Sequence, residues 1–146
     1  MKQFNQILYL DDDPDDGALL EYAIRELFVD KFFYYFESPK KFFMFLNNNS
    51  TLLKPIVFID LNMPAKNGFE CIREIRSTAG MNQLPVIVYT TSKRPEDIER
   101  SYAAGANLYV RKPFSFTEIR EVFLKLFDLD WNHYHPLPPF GDFYLE

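Results

Sequence analysis

The residues most able to do chemistry are carboxylates that follow directly after apolar segments. Asp11, Asp12 and Asp13 follow the segment 6–10, and Asp60 follows the segment 56–59. Adjacent carboxylates are hard oxygen ligands of the kind that Mg²⁺ prefers. Without a cation, two such charges about 4 Å apart repel by roughly 4 kcal/mol at an effective dielectric near 20. If the fold brings these residues together, they indicate a metal site, whereas Asp60 alone would be interpreted as a turn cap.

Two further polar residues come at the end of apolar segments. Thr90 follows the segment 85–89, and Lys112 comes two residues after the segment 107–110. A lysine can neutralise part of an acidic cluster and hold a phosphoryl oxygen as a point charge. A threonine hydroxyl can donate a hydrogen bond to another oxygen. Together with Asp60, they favour phosphoryl transfer onto a carboxylate, which depends mainly on positioning and electrostatic stabilisation.

Several other functions are disfavoured by the composition. Both histidines, His133 and His135, lie near the C-terminus, away from the strand-end residues. The strand-end residues therefore include no histidine base for Ser-His-Asp or Cys-His hydrolysis. The absence of a glycine-rich phosphate loop argues against nucleotide binding. A net charge of -5 without a basic run gives no electrostatic support for nucleic-acid binding. The apolar runs are too short to span a membrane.

Length and cysteine content predict a cytoplasmic single domain. The 146 residues suit one hydrophobic core, and 47% of them are hydrophobic. Cys71 is the single cysteine, which excludes an internal disulfide and suits a reducing compartment. The first residues also lack the apolar core and cleavage site of a signal peptide.

Five apolar segments alternate with amphipathic helical patterns and predict an α/β protein. The predicted strands are 6–10, 32–36, 56–59, 85–89 and 107–110. Because parallel strands need crossover connections, this pattern predicts a doubly wound five-stranded parallel sheet with helices on both faces. The expected strand order is the flavodoxin-like 2-1-3-4-5.

That strand order explains how the polar residues meet. Strands 1 and 3 are neighbours in it, so Asp11, Asp12 and Asp60 should converge at one edge of the sheet. Strands 4 and 5 should bring Thr90 and Lys112 to the same edge. Two helix starts are also expected, with Asp13 as the cap of the first helix and a capping box at residues 115–118 of the last.

Four segments closely resemble the receiver domain of bacterial response regulators, in the same order and at the family's spacing. They are 7–14, 58–64, 88–92 and 109–114, and the resemblance extends from about residue 5 to 127. It implies a single-domain, chemotaxis-type response regulator of two-component signalling. Such a protein accepts a phosphoryl group from a histidine kinase or phosphotransfer protein. The expected division is a receiver domain at 1–127 and a tail at 128–146 that is not a separate domain.

The resemblance also implies a role for each site residue. Asp60 would be the phosphoacceptor. Mg²⁺ would be held by Asp11, Asp12, Asp60 and the backbone carbonyl of Asn62, with Asp12 and Asp60 as direct ligands. Phosphoryl-binding and switch roles would fall to Thr90, Thr91, Lys112 and Tyr109, and the peptide bond between Lys112 and Pro113 would be cis.

Three features depart from the family pattern. Asp13 extends the acid pair and is interpreted as the helix cap. Thr91 stands where the family favours Ala, Ser or Gly, and the larger side chain could restrict access to a phosphoryl group. The tail is too short for an output domain, since independent domains generally need about 50 residues. An ordered aromatic strap, on the domain or on a partner, is expected there in preference to a metal site at His133 and His135.

Three functions remain in competition. The leading interpretation is a phosphorylation switch that acts through protein contacts and catalyses only its own phosphorylation and dephosphorylation. The second is a Mg²⁺-dependent aspartyl-phosphate phosphohydrolase, against which Asn62 counts, because such hydrolases often carry a general acid at that position. The third is an interaction module that has lost phosphorylation, although the acceptor residues are intact.

The switch interpretation carries an expectation about output. On phosphorylation, Thr90 should move toward the phosphoryl group and Tyr109 should turn inward. The surface of residues 95–126 would then change shape and meet a downstream protein or a second copy of the chain. Its expected exposed residues are Arg100, Tyr102, Tyr109 and Arg111, which are residue types favoured at interfaces.

Overall fold

The computed structural model describes residues 3–48 and 52–145. Their strands form one six-stranded parallel sheet. Its strands are β1 (Gln6–Leu10), β2 (Phe32–Phe36), β3 (Pro55–Ile59), β4 (Val86–Thr90), β5 (Leu108–Arg111) and β6 (Tyr144–Leu145). Its α-helices are α1 (Pro14–Leu27), α2 (Pro39–Asn48), α3 (Gly68–Ser77), α4 (Pro95–Ala104), α5 (Phe116–Phe127) and α6 (Trp131–Tyr134). A short 3-10 turn spans Phe140–Asp142.

The predicted flavodoxin-like topology is confirmed, with one addition. The strand order is β2-β1-β3-β4-β5-β6, so the expected order 2-1-3-4-5 is extended by β6 at the edge of β5. All five predicted strands are present, and β6 is a minor sixth strand. The two residues of β6 are too few to show an apolar alternation, and their pairing with β5 is a tertiary contact that local sequence does not encode.

Two apolar layers cover the two faces of the sheet. One layer packs α1, α5 and α6 against the sheet through Leu20, Phe123 and Trp131. The other packs α2, α3 and α4, with Phe143 from the tail. Strands β3 and β4 are buried along nearly their whole length, as expected for parallel strands covered by helices on both sides. Cys71 lies fully buried in the second layer.

The helix starts follow the expected capping chemistry, with one difference. Asp13 caps α1 by accepting from the Asp15 N–H, and Pro14 begins the helix. Ser115 caps α5 by accepting from the Glu118 N–H, but the Glu118 carboxylate accepts from the Phe114 N–H instead of closing the expected box. A complete capping box occurs instead at the start of α3, immediately beyond the Asp60 loop.

The tail begins by packing onto the domain core. Trp131 in α6 is 8% exposed and meets the ring of Phe4 edge-on, with centroids 5.2 Å apart. The buried amide of Asn107 then holds the next residues, because its Nδ2 donates to the carbonyls of Tyr134 at 3.1 Å and Pro136 at 2.9 Å. The ordered strap expected at the C-terminus is therefore found on the domain itself.

The remainder of the tail covers α4 and β5. The Tyr102 hydroxyl donates to the Pro138 carbonyl at 2.7 Å. Phe143 is fully buried, with its ring centroid 5.0 Å from that of Tyr102 and 6.3 Å from that of Tyr109. In β6, Tyr144 pairs with Tyr109 in parallel register. Part of the surface expected to meet other proteins is thus covered by the chain's own tail.

Among the described residues, no helix is long and apolar enough to cross a membrane.

The Asn107 amide connects the tail to the rest of the fold, and its removal should be costly. Besides the two tail carbonyls, its Oδ1 accepts from the Val86 N–H at 2.8 Å and from Arg76 Nη2 at 2.9 Å. Asn107→Ala should lower the free energy of unfolding by about 2–4 kcal/mol, because it leaves several buried partners unpaired. Urea denaturation would measure the loss. Asn132→Ala, at an exposed position of α6, is the control and should change stability by no more than ~0.5 kcal/mol; equal losses in the two variants would contradict the role of Asn107.

Candidate functional site

The expected carboxylates converge at the carboxyl ends of β1 and β3. Asp11 and Asp60 are buried and Asp12 is exposed, and one carboxylate oxygen from each lies within 4.8 Å of the others. No other group of three potential metal-ligating His, Cys, Asp or Glu side chains occurs within residues 3–48 and 52–145. Hard oxygen donors at this spacing suit Mg²⁺ or Mn²⁺.

The backbone around Asp60 is fixed from both sides. Its N–H donates to the Leu10 carbonyl at 3.0 Å, which continues the pairing of β3 with β1. The loop that follows returns to the site, where the Gly68 N–H donates to the Leu61 carbonyl at 3.0 Å. A Cβ on Gly68 would lie 2.4 Å from the Asp60 carbonyl oxygen, so only glycine lets α3 start this close to the backbone of Asp60 and Leu61.

Asp60 is held in an environment that disfavours its charge. Its residue exposure is 6%, and burial raises the pKa of its carboxyl from 3.8 to about 6. The Lys112 ammonium opposes this rise, and the Asp11 carboxylate adds to it. A bound cation would therefore stabilise the charged form of this carboxyl and lower its pKa.

Lys112 is shared among three carboxylates. Its Nζ lies 2.6 Å from Asp11 Oδ2, 2.9 Å from Asp16 Oδ2 and 3.7 Å from Asp60 Oδ1. Burial alone would lower the pKa of this ammonium, but the neighbouring carboxylates outweigh burial and raise it. The expected meeting of Lys112 with Asp11 and Asp60 is confirmed. Asp16, in the first turn of α1, is an additional partner that the sequence did not indicate.

Two tyrosines hold Asp11 in place and were not anticipated. The Tyr9 hydroxyl donates to the Asp11 carboxylate, and the Tyr35 hydroxyl donates to the Asp11 carbonyl oxygen at 2.6 Å. Tyr9 could have been found, because residues two apart on a strand project from the same face. Tyr35 could not, because its approach depends on Gly17, where a Cβ would lie 2.6 Å from the tyrosine ring.

Asp11 and Asp12 differ in the hydrogen bonds that they make. Besides contacting Tyr9 and Lys112, Asp11 accepts from the Asp13 N–H at 3.0 Å through Oδ1. The exposed Asp12 carboxylate makes no hydrogen bond with the residues that the structure describes, and neither does the Asn62 carbonyl. Asp12 and Asn62 therefore offer oxygen atoms that a cation could bind directly.

Thr90 supplies a buried polar atom that makes no hydrogen bond of ordinary geometry. Its Oγ1 is inaccessible to solvent and interacts only weakly with the Asp60 carboxyl, whose pKa it lowers slightly against the larger effect of burial, whereas the Thr90 carbonyl accepts from the Lys112 N–H at 2.7 Å. A buried hydroxyl without a partner costs about 1–3 kcal/mol and is uncommon in folded proteins. Its position at the end of β4 is the one predicted. Thr91, the next residue, is exposed.

Tyr109 differs from the expectation. It is fully buried, and its hydroxyl donates to the Ser92 carbonyl at 2.8 Å, so the prediction of an exposed Tyr109 is wrong. The physical reason is the tail, which covers this part of β5. Arg100 is exposed as expected and stacks 4.0 Å from the ring centroid of Phe69, while Tyr102 and Arg111 are only partly exposed.

The prediction of a cis bond between Lys112 and Pro113 is also wrong. The cis peptide bond of the described residues is His135–Pro136, so Lys112–Pro113 is trans. Trans is the intrinsically favoured isomer before proline, by about 0.5–1 kcal/mol. With the trans bond, Lys112 still reaches Asp11 and Asp16, so its charge contacts do not require the cis form.

The two tail histidines lie outside the acidic site. Both are exposed, and the His133 ring contacts the Asp142 carboxylate at 2.8 Å within the tail itself. This contact joins α6 to the 3-10 turn.

Fold and site together define a flavodoxin-like α/β protein with an acidic strand-end site, a buried lysine and a strand-end threonine. The chain belongs to the response regulator receiver domain family, whose model matches residues 7–124. Domains of this family act as phosphorylation-dependent switches in two-component signalling. They interact with kinases or phosphotransfer proteins and with downstream targets.

Individual relatives match smaller parts of the chain. Response regulator Rcp1 of Synechocystis is 37% identical over 57 residues, which is 39% of this chain and 39% of that protein. A probable methanogenesis regulatory protein of Methanothrix harundinacea, FilR2, is 33% identical over 82 residues, covering 55% of this chain and 53% of that protein. The chain thus spans about half, or less, of the length of the curated relatives that it matches.

Solved structures show the same fold. The phosphorylated cyanobacterial phytochrome response regulator RcpA has a TM-score of 0.74 at 23% identity, over 84% of this chain and 91% of that one. The Mn²⁺-bound form of Rcp1 has a TM-score of 0.73 at 22% identity, over 86% and 96%. A receiver domain from Rhodospirillum rubrum has a TM-score of 0.75 at 24% identity, over 86% and 95%.

The raised pKa of Asp60 predicts a specific pH dependence in metal-free protein. A carboxyl that binds its proton more tightly when folded makes stability fall as pH rises from 3.8 through about 6. In EDTA, Asp60→Asn should remove this fall and raise the free energy of unfolding at pH 7 by about 1–3 kcal/mol. Denaturant titrations at several pH values between 4 and 7 measure the free energy of unfolding of each variant. Asp30→Asn, at an exposed turn position, is the control and should keep the wild-type profile; an unchanged profile in Asp60→Asn would show that burial does not shift this carboxyl.

Proposed function

We propose that this receiver domain accepts a phosphoryl group on Asp60 and changes its contacts with other proteins in response. The observation that carries the proposal is the fully buried Thr90 hydroxyl, which makes no hydrogen bond of ordinary geometry and lies beside the Asp60 carboxyl at the site where Lys112 and the three carboxylates meet. A phosphoryl oxygen would give this hydroxyl an acceptor. The donor is a histidine kinase or a phosphotransfer protein.

The transfer is a single substitution at phosphorus. An Asp60 carboxylate oxygen forms the new bond to phosphorus, and the bond from phosphorus to the donor's imidazole nitrogen breaks. The products are an acyl phosphate and a neutral histidine that gains a proton from solvent. In the folded protein, Lys112 Nζ is 3.7 Å from Asp60 Oδ1, where it can bind a transferred phosphoryl oxygen. Positioning and charge stabilisation of this kind account for most catalysis of phosphoryl transfer.

The donor set fits a divalent cation, which we assign as Mg²⁺. Asp12, Asp60 and the Asn62 carbonyl would bind it directly, and Asp11, already bonded to Tyr9 and Lys112, would bind through water. When bound, the cation supplies positive charge that offsets repulsion between the carboxylates and the phosphoryl oxygens. The Mn²⁺-bound form of the structurally similar Rcp1 supports a divalent ion.

Exposed apolar residues beside the site form a candidate docking surface for the phosphodonor. Leu19 and Tyr22 on α1 are 39% and 58% exposed, and Phe114 between β5 and α5 is 72% exposed. Leu19 and Lys112 line one small cavity, which connects this apolar surface to the site. A partner that presents a phosphohistidine from an apolar helical surface would bury these side chains while reaching Asp60.

The output surface is proposed to include α4, β5 and α5, where a downstream protein or a second copy of the chain would bind. The tail already covers β5 there, so either partner must bind around it or over it. The phosphohydrolase alternative gains no support, because the exposed Asn62 amide cannot serve as a general acid at the position where it would be needed.

The acceptor assignment is tested by phosphorylation with a small donor. Acetyl phosphate with Mg²⁺ should add one phosphoryl mass increment to the wild-type protein, and the adduct should be sensitive to hydroxylamine. Asp60→Asn and EDTA should each abolish it. Asp13→Asn keeps a capping side chain and should be labelled like the wild type. Intact-mass spectrometry provides the measurement, and a full adduct on Asp60→Asn would place the acceptor elsewhere.

The exposed Thr91 should lengthen the life of the acyl phosphate by limiting the approach of water. Thr91→Ala should speed phosphate loss roughly threefold to tenfold, equivalent to about 1 kcal/mol of barrier. Thr91→Ser retains the hydroxyl and removes the methyl group. Faster phosphate loss in this variant as well would assign the effect to the size of the threonine side chain. Decay of labelled protein after removal of the donor measures the rates; equal decay in all three proteins would remove Thr91 from the proposal.

A further inference from the structure

The C-terminal strap, residues 136–145, meets the domain at the residue expected to respond to phosphorylation. We infer that this strap is a built-in ligand of the switch, so that its docking and phosphorylation of Asp60 favour each other. The inference rests on the proposed function for Asp60 and adds a regulatory partner that lies within the same chain.

Tyr109 is held inward by contacts with the strap and with the loop after β4. Its hydroxyl donates to the Ser92 carbonyl at 2.8 Å. On the other side, its backbone N–H donates to the Phe143 carbonyl at 2.9 Å, and its ring centroid is 5.7 Å from that of Tyr144. The inward position expected only after phosphorylation is therefore already present while the strap is docked.

The strap also fills the space into which Tyr109 would turn outward. Phe143 is fully buried between the rings of Tyr102 and Tyr109. The Tyr102 hydroxyl holds the strap from α4 through the Pro138 carbonyl at 2.7 Å. For Tyr109 to leave its pocket, Phe143 must move as well, so the two residues share one two-state arrangement.

Tyr109 is connected to the phosphoacceptor by a short path. It pairs with Val88 in β4, and Val88 pairs with Ile59, the residue before Asp60. The loop that receives its hydrogen bond follows Thr90, the last residue of β4, whose buried hydroxyl makes no hydrogen bond of ordinary geometry among the described residues. Movement of Thr90 toward a phosphoryl oxygen would shift the same loop that Tyr109 binds through Ser92.

The strap is built to open without unfolding the domain. Asn107 holds the Tyr134 and Pro136 carbonyls, so the chain stays anchored up to the first residue of the strap when the rest detaches. Beyond that anchor, β6 contains only two residues, and Phe140 is 49% exposed. Short pairings open at low cost in free energy, so the burial of Phe143 is the main contact that opening of the strap must break.

Thermodynamic linkage then fixes two measurable effects of equal size. If a bound phosphoryl mimic lowers the equilibrium constant for opening of the strap by some factor, loosening the strap must weaken binding of the mimic by the corresponding coupling. Couplings between sites typically amount to about 5- to 150-fold. We expect at least fivefold here, because Tyr109 contacts both the strap and the loop.

The experiment uses the full chain with Mg²⁺ and beryllofluoride as the mimic. Amide exchange at Tyr109, followed by NMR, reports strap docking because that N–H bonds to the Phe143 carbonyl. Fluorine NMR reports bound beryllofluoride directly. Adding the mimic should slow Tyr109 exchange at least fivefold, and Phe143→Ala should weaken beryllofluoride binding by a similar factor.

Two further variants keep the test specific. Phe127→Ala removes a buried ring from the end of α5, in the layer on the opposite face of the sheet, and should leave beryllofluoride affinity within twofold of wild type. Tyr102→Phe removes only the hydrogen bond to Pro138 and serves if Phe143→Ala fails to fold. It should loosen the strap and weaken beryllofluoride binding roughly 2- to 10-fold, which corresponds to the loss of one hydrogen bond.

The outcomes separate this inference from the proposed function. Equal beryllofluoride affinity in wild type and in the loosened strap variant overturns the coupling and leaves phosphorylation at Asp60 standing. Faster Tyr109 exchange with the mimic also overturns it, because the strap would then oppose the switch. Wild-type protein that binds no beryllofluoride overturns the proposed function and the coupling together.

Discussion

Repulsion among buried carboxylates is the constraint on which the site depends. Asp11, Asp12 and Asp60 come within 4.8 Å of one another because parallel strands end at one edge, and two of them are buried. The protein offsets this with the Lys112 ammonium and the Tyr9 hydroxyl, both of which donate to the Asp11 carboxylate. Asp60 receives less compensation, since Lys112 is 3.7 Å away. Of the two buried carboxylates, the one with the longer contact to Lys112 is thus the one expected to react.

Much of this arrangement could be predicted from sequence because it depends on strand ends. Strand positions and order follow from apolar runs separated by helical periods, and the order alone brings Asp11, Asp60, Thr90 and Lys112 to one edge. Asp13 was also recognisable as a cap, since Pro14 marks the start of the helix. These features are local, or follow from the topology of parallel sheets.

The features that sequence did not predict depend on contacts between distant residues. Asp16 reaches Lys112 across 96 positions of the chain, and Tyr35 reaches Asp11 only because Gly17 leaves room for its ring. Tyr109 was expected to be exposed because β5 was taken as the last strand. The short β6 buries it, and nothing in the residues 144–145 marks them as a strand. Lys112–Pro113 is trans, which no local pattern distinguishes from cis.

The position of β6 also bears on how this protein avoids aggregation. Without the tail, β5 would be an edge strand of four residues with an open row of backbone donors and acceptors, a template for pairing with another chain. With β6 in place, the edge is two residues long, and short edge strands discourage sheet extension. The opposite edge, β2, keeps the aromatic sequence Phe-Phe-Tyr-Tyr-Phe with Phe32 62% exposed. Intermolecular strand pairing should therefore begin at β2 in preference to β5.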